Sequence, residues 1–376
     1  MCMHRKLFIF AYPHKNRIMA KKIRIKDIAE IARVSPGTVD RVLHNRGDVS
    51  ESSRKRVEEA LKKMKYKPNI HVSALSLKKK YRFVVAMPEF KKGEYWELIE
   101  QGIRRAMDEY ASLDIESIFC SYDQFDLYSC RSAFERVIAE NPDAVIIGPT
   151  FRDEAVYLGN TLSDLRIPYV FVDSPIDGTS PLAFFTSNSF AMGALMARLM
   201  TSIVPPGSEI ALFQAVRTGD ESANTTILRK SGFMAYLGEN NLETTLRRVP
   251  YSAVEPARNS KLIGDFFQQN PQIKGAVIFN SRGNIIADFF RKNKIRGVKI
   301  VCADLIRRNV DALKGGYVDM LLGQRPQQQG YMAVKALFEY LIYGTKVQRE
   351  NYMPIDIVAK ENVGFYSEFN DIIATK

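Results

Sequence analysis

The chain is 376 residues long with 46% apolar side chains, enough for two or three domains, each with its own core. Its formal charge of +12 is lopsided: residues 1–80 carry 21 Lys/Arg against 7 Asp/Glu, and the remainder 33 against 35. That pattern points to a polyanion-binding module ahead of a near-neutral domain. It argues against a membrane-surface protein, which needs a basic amphipathic helix with bulky apolar anchors.

In chain order, Met1 to Tyr12 sets Arg5 and Lys6 before an apolar run of about six residues, shorter than the ~7–15 of a secretory core. Met19-Ala20-Lys21-Lys22 looks like a natural start, so residues 1–18 read as an extension, either a disordered arm or a mis-assigned start. A first helix is expected from Ile25 to Arg33, with Ile28, Ile31 and Ala32 as its inner face and Asp27 suiting its dipole. Ser35 is placed to cap a second helix whose first residue is Pro36. Its Val39, Val42 and Leu43 turn inward, leaving Thr38 and Arg41 outward. Ser50 caps a third helix, Glu51 to Lys65, buried along Val57, Ala60, Leu61 and Met64. Two short helices across a tight turn can set the second in the major groove of DNA. Residues 19–65 are therefore expected to be an all-α helix-turn-helix head, and 66–80 a linker ending in Lys78-Lys79-Lys80.

From Tyr81 the pattern becomes apolar strands alternating with amphipathic helices. Strands are expected at 83–87, 115–119, 144–148 and 169–173, then at 209–213, 245–249, 275–279 and 299–302. Helix-period segments such as Tyr95–Tyr110 and Arg131–Glu140 lie between them. Two βα series predict an α/β effector domain of two doubly wound, Rossmann-like subdomains with a cleft between them. The expected division is 81–184 plus 325–350 for the first subdomain and 185–324 plus 351–376 for the second.

Residues 23–57, followed by Tyr66-Lys67-Pro68-Asn69, resemble the DNA-binding head of the LacI-type (lac repressor) family. Residues 81–365 are similar to the periplasmic-binding-protein type I fold that forms the effector domain of those regulators. The resemblance implies that Pro36, Gly37 and Arg41 read bases, Arg41 by a bidentate contact to guanine worth ~1–3 kcal/mol of discrimination. A solvated or phosphate-only Arg41 is the alternative. It assigns Ser35, Thr38, Ser50 and Asn69 to phosphates. Asp40 stands where the family usually has a small polar residue, and Arg33 where a turn glycine is common. The segment Asn69 to Leu77 matches the hinge helix that orders on operator DNA, and Leu75 the apolar wedge in the minor groove. A plain linker is the other reading. In the large domain the resemblance gives effector contacts to Tyr95, Trp96, Asp173, Arg229, Asn280, Asp304 and Gln324. Tyr95 or Trp96 could equally be core packing, and Asn280 or Asp304 alone a turn or cap. Together they are what hydrogen-bonding a polyol demands, because a buried polar pocket rejects ligands that leave its groups unpaired.

Enzyme readings do poorly. The sequence has no GxSxG, P-loop, HExxH or GxGxxG after a strand, and its four histidines (His4, His14, His44, His71) all fall in the first 80 residues. Four scattered cysteines show no metal spacing, so no catalytic residue, metal or cofactor is expected and a reducing cytoplasm fits. The expectation is a cytoplasmic, homodimeric transcription regulator on a pseudo-palindromic operator, controlled by a sugar or sugar acid in the cleft. Control by a protein partner is the rival.

Overall fold

The computed structural model describes residues 24–43, 49–64, 80–111, 115–216, 224–252 and 256–366. The chain divides into two compact units, the first ending at Leu77 and the second beginning at Lys78. No helix among the described residues is long and apolar enough to cross a membrane.

In the first unit α1 (Ile25–Ala32), α2 (Pro36–Leu43) and α3 (Glu51–Lys63) close around Ile28, Ala29, Ala32, Val39, Val42, Val57 and Ala60. Leu61 and Met64 pack against this core from the end of α3. The start of α1 is fixed by Asp27, whose carboxylate accepts from the Arg24 backbone N–H at 2.7 Å. Ser35 Oγ accepts from Thr38 N at 3.1 Å and Ser50 Oγ from Ser53 N, so both expected caps form. One expectation is corrected. Ile31 is 45% exposed, and the inner face is instead Ile28, Ala29 and Ala32 with Ile25 at its edge. At 3.6 residues per turn those four fall within about 100° of arc, and Ile31 lies roughly 110° from its centre. Arg33 ends α1 in the left-handed region (φ 51°, ψ 50°), the conformation a glycine adopts without strain.

The second unit holds two lobes of one topology. In the first, β1 (Tyr81–Pro88), β2 (Ile115–Tyr122), β3 (Ala144–Ile147), β4 (Tyr169–Val172), β5 (Ala183–Thr186) and β11 (Glu350–Tyr352) form a parallel sheet. Its order is β11-β5-β4-β3-β1-β2. In the second, β6 (Glu209–Val216), β7 (Leu246–Ser252), β8 (Ile273–Ile278), β9 (Lys299–Ala303), β10 (Met320–Gly323) and β12 (Asp356–Val358) repeat it as β12-β10-β9-β8-β6-β7, with only β12 antiparallel. The central strands are buried on both faces, as parallel sheets covered by helices require. On β8 and β9 alternate residues feed opposite cores: Ala276, Ile278, Ile300 and Cys302 on one side, Val277, Val301 and Ala303 on the other.

Between strands run α4 (Tyr95–Glu109), α5 (Leu127–Ala139) and α6 (Arg152–Asp164) in the first lobe. The second lobe has α7 (Ser189–Ile203), α8 (Asn224–Glu239), α9 (Pro256–Gln269), α10 (Gly283–Asn293) and α11 (Arg307–Lys314). The last long helix, α12 (Pro326–Tyr343), returns to pack on α4. The chain therefore crosses between lobes after Thr186, after Gly323 and after Tyr352. The expected divisions at 184/185 and 350/351 fall inside β5 and β11, and each of those strands sits whole in the first sheet.

Candidate functional site

The strand order 2-1-3-4-5 in each lobe has its switch point between the first and third strands, where ligands sit in open α/β sheets. The two switch points face each other across the interlobe cleft. Tyr95 and Trp96 begin α4 just after β1, and Asp173 follows β4. From the other lobe Arg229 lies on α8, Asn280 follows β8, Asp304 follows β9 and Gln324 follows β10. All seven line one pocket of about 80 Å³.

Two residues hold matching positions in the two lobes. Asp173 (φ 68°) and Asp304 (φ 74°) each leave the fourth strand of their sheet in the left-handed region. Each donates its backbone N–H to the next strand, to Phe185 O at 3.1 Å and Leu322 O at 2.8 Å. This shared strained turn aims both carboxyls into the cleft; asparagine and aspartate tolerate it better than most residues. Asp173 Oδ1 accepts from Tyr95 Oη at 2.8 Å, and Asp304 Oδ1 from Gln324 Nε2 at 2.9 Å. Burial pushes both carboxyls up, partly offset by the Arg229 guanidinium; Asp304 reaches about 7. The Tyr95 phenol is also raised, first by burial and then by the two carboxylates.

Arg229 is 2% exposed and is brought there by a close helix crossing. A Cβ on Gly193 of α7 would stand 1.8 Å from Arg229 O, and one on Gly232 of α8 1.9 Å from Phe190 O. Only glycine at both points lets the two backbones approach this far. The guanidinium donates to Phe279 O at 2.5 Å and Gln324 Oε1 at 3.1 Å, while its Nε has no partner. A buried N–H left without an acceptor costs about 1–3 kcal/mol, so a ligand oxygen supplied here is favoured. Asn280 Oδ1 accepts from Tyr251 Oη at 2.9 Å and from Arg282 N at 3.0 Å, and its amide group remains to donate. Trp96 packs edge-on to Tyr95 and lies over Gly148, where a Cβ would meet the indole at 2.6 Å.

Three residues that join the lobes around the cleft were not picked out from the sequence. Gln329, fully buried on α12, accepts from Asp173 N at 2.9 Å and donates to Gln324 O at 2.8 Å, tying the lobes at the cleft floor. Asn224 donates across the cleft to Ser174 Oγ at 2.7 Å. Arg282 pairs with Glu94 at 3.0 Å and covers the Phe125 ring at 5.5 Å, both on the opposite lobe. Arg282 is two residues past Asn280, a spacing that could have flagged it. Gln329 carried no local signal.

In the head, Ser35, Pro36, Gly37 and Arg41 are exposed and Thr38 is half-buried; Ser35 to Thr38 form the start of α2, and Arg41 lies in its last turn. The Ser35 and Thr38 hydroxyls touch at 2.9 Å beside the helix N-terminus, where an anion is favoured. Exposed Ser50 caps α3 and donates to Ser53 Oγ, which accepts from Arg56 Nη2 at 3.2 Å. Asn69 and Leu75 lie outside the described residues.

Residues 24–69 match the family model of bacterial regulatory proteins of the lacI family, and residues 83–346 that of the periplasmic binding protein domain. The HTH-type transcriptional regulator named EndR from Paenibacillus polymyxa is 27% identical over 249 residues, 66% of this chain and 69% of that one. The sucrose operon repressor of Lactococcus lactis is 25% identical over 61% of this chain and 66% of its own. A crystal structure from Bacteroides fragilis, described as a LacI transcriptional regulator, is 33% identical with a TM-score of 0.74; the match covers 77% of this chain and all of that one. The glucose-galactose binding protein GanP of Geobacillus stearothermophilus, 20% identical over 76% of this chain and 99% of that one with a TM-score of 0.66, shares the fold. With a helix-turn-helix head followed by a two-lobed binding domain over these spans, the chain belongs to the lacI family of bacterial transcription regulators.

Proposed function

We propose that this regulator is a cytoplasmic, homodimeric repressor whose operator affinity is set by a sugar or sugar derivative bound between the lobes. One observation carries the ligand class: buried Arg229 leaves its Nε unpartnered between two buried carboxyl groups, Asp173 and Asp304, beside an indole and two amides. Sugar hydroxyls can donate to the carboxylates and accept from the guanidinium, while apolar C–H faces suit the Trp96 ring. A narrow pocket between two lobes, lined by buried polar groups, offers contacts to a small molecule and no face to a protein partner. The sucrose and ribose operon repressors among its relatives favour the same class.

Arg41, Pro36 and Gly37 would read bases, and Ser35, Thr38, Ser50 and Asn69 would hold phosphates on each half-site. Sugar binding favours one arrangement of the lobes and thereby changes operator affinity, by no more than its differential affinity for the two arrangements. The test is fluorescence anisotropy of the full chain on an operator selected from random DNA, with and without neutral sugars. A shift in operator Kd with one sugar is expected. An affinity indifferent to every sugar contradicts the reading.

A further inference from the structure

Outside the sugar pocket lies a second cavity of about 680 Å³. The two adjoin: Gln124, Phe125, Ser281 and Arg282 line both. Its walls come from the loop after β1, the loop after β2, and helices α9, α10 and α11, so both lobes build it. The inner pocket is smaller than the ~300–1,000 Å³ usual for small-molecule sites, whereas the outer cavity falls within that range.

The outer walls have two properties that together select a ligand. Aromatic faces (Phe90, Phe125, Phe289) alternate with hydroxyl groups from Ser260 and Ser281. That mixture suits sugar rings, which present C–H faces and hydroxyl edges. Charge is close to balanced: five Lys/Arg line the cavity against four Asp/Glu. Two of the cations are already neutralised, Arg282 by Glu94 at 3.0 Å and Arg308 by Asp288 at 2.9 Å. After those pairs Lys91, Lys92 and Lys292 remain beside Glu89 and Asp123, a near-balance that gives a phosphate or uronate little attraction.

We propose that the outer cavity is a second subsite and that the effector is a neutral oligosaccharide, its terminal unit in the inner pocket and its next units along the groove. This rests on the sugar reading of the inner pocket. Arg282 stands at the junction, where its guanidinium plane over Phe125 closes the side of the path between the subsites. A monosaccharide fills only the inner pocket, so length becomes the specificity determinant.

The test is isothermal titration of the full chain with homologous series: xylose to xylotriose, glucose to cellotriose and to maltotriose, galactose to galactotriose. In one series the disaccharide is expected to bind at least tenfold tighter than its own monosaccharide. Ser260→Trp, an exposed position on α9, fills the groove and should erase that gain while leaving monosaccharide affinity within twofold. Phe289→Ala, checked for an unchanged melting temperature, should reduce the gain. Monosaccharide affinity equal to that of its oligomers overturns the subsite and leaves the sugar reading intact, as does a gain that survives in both variants. Silence with every sugar of every length overturns the sugar reading and the subsite together.

Discussion

Asp304 shows how the cleft trades stability for binding. Burial raises its carboxyl to about 7, against Arg229 and the Gln324 amide, which lower it, and Asp173, which raises it further. Between pH ~4 and ~7 the folded chain therefore holds a proton that the unfolded chain has released. The resulting stability is present at low pH and is lost as pH rises through about 7. Asp304→Asn removes this titration, so its advantage in unfolding free energy over the parent should grow from pH 5 to pH 8, on the order of 3 kcal/mol. Urea unfolding at the two pH values checks this; an equal gap at both would show that Asp304 does not titrate between them. The variant should also bind sugar less well. Six of the seven cleft residues were legible in the sequence because each stands at a strand end or a helix start, where α/β folds place ligands; Arg229, inside α8, was named by the family resemblance alone. Arg282, Asn224 and Gln329 were not, because their roles exist only across the lobes.

The eight expected strands all appear, six of them on runs of buried apolar residues, while β2 and β7 are edge strands without such a run. Strands β5, β10, β11 and β12, three or four residues each, were not picked out; β3 and β4 are as short but consist wholly of buried apolar residues. Ile31 was misplaced because i, i+3 spacing fits either flank of a helix face, and only the packing of α3 decides which flank is inside. The departure at Arg33 has a measurable consequence. A side chain in the left-handed region costs roughly 1–2 kcal/mol, and glycine's greater unfolded-state freedom returns part of that. Arg33→Gly should stabilise the head by about 1 kcal/mol, slowing hydrogen exchange of the Ile28 and Val39 amides about fivefold. Unchanged exchange would mean the turn holds Arg33 without strain.

At the scale of the molecule, the described lobes are tied by three kinds of contact: Gln329 at the floor, Asn224–Ser174 on one flank and Arg282–Glu94 at the mouth. A ligand that adds bonds to residues of both lobes strengthens this arrangement over a more open one, and that difference is what a DNA-binding head can use. The relay would pass through residues 66–80, where Leu75 is the proposed wedge. Leu75→Ala should weaken operator binding at least tenfold while leaving sugar affinity unchanged, because unstacking a base step without its wedge loses a few kcal/mol of compensating contact. Anisotropy on operator DNA checks this, and equal operator affinity would remove the wedge.

The central claim is that a sugar binds at the buried Arg229 between the lobes. Trp96 is the only tryptophan in the chain and lines that pocket, so its fluorescence reports occupancy directly. Titrating the full chain with neutral mono- and disaccharides should give one saturable change in emission, and Arg229→Ala should abolish it while retaining operator binding. Emission that no sugar alters, or a titration identical in the variant, would contradict the account.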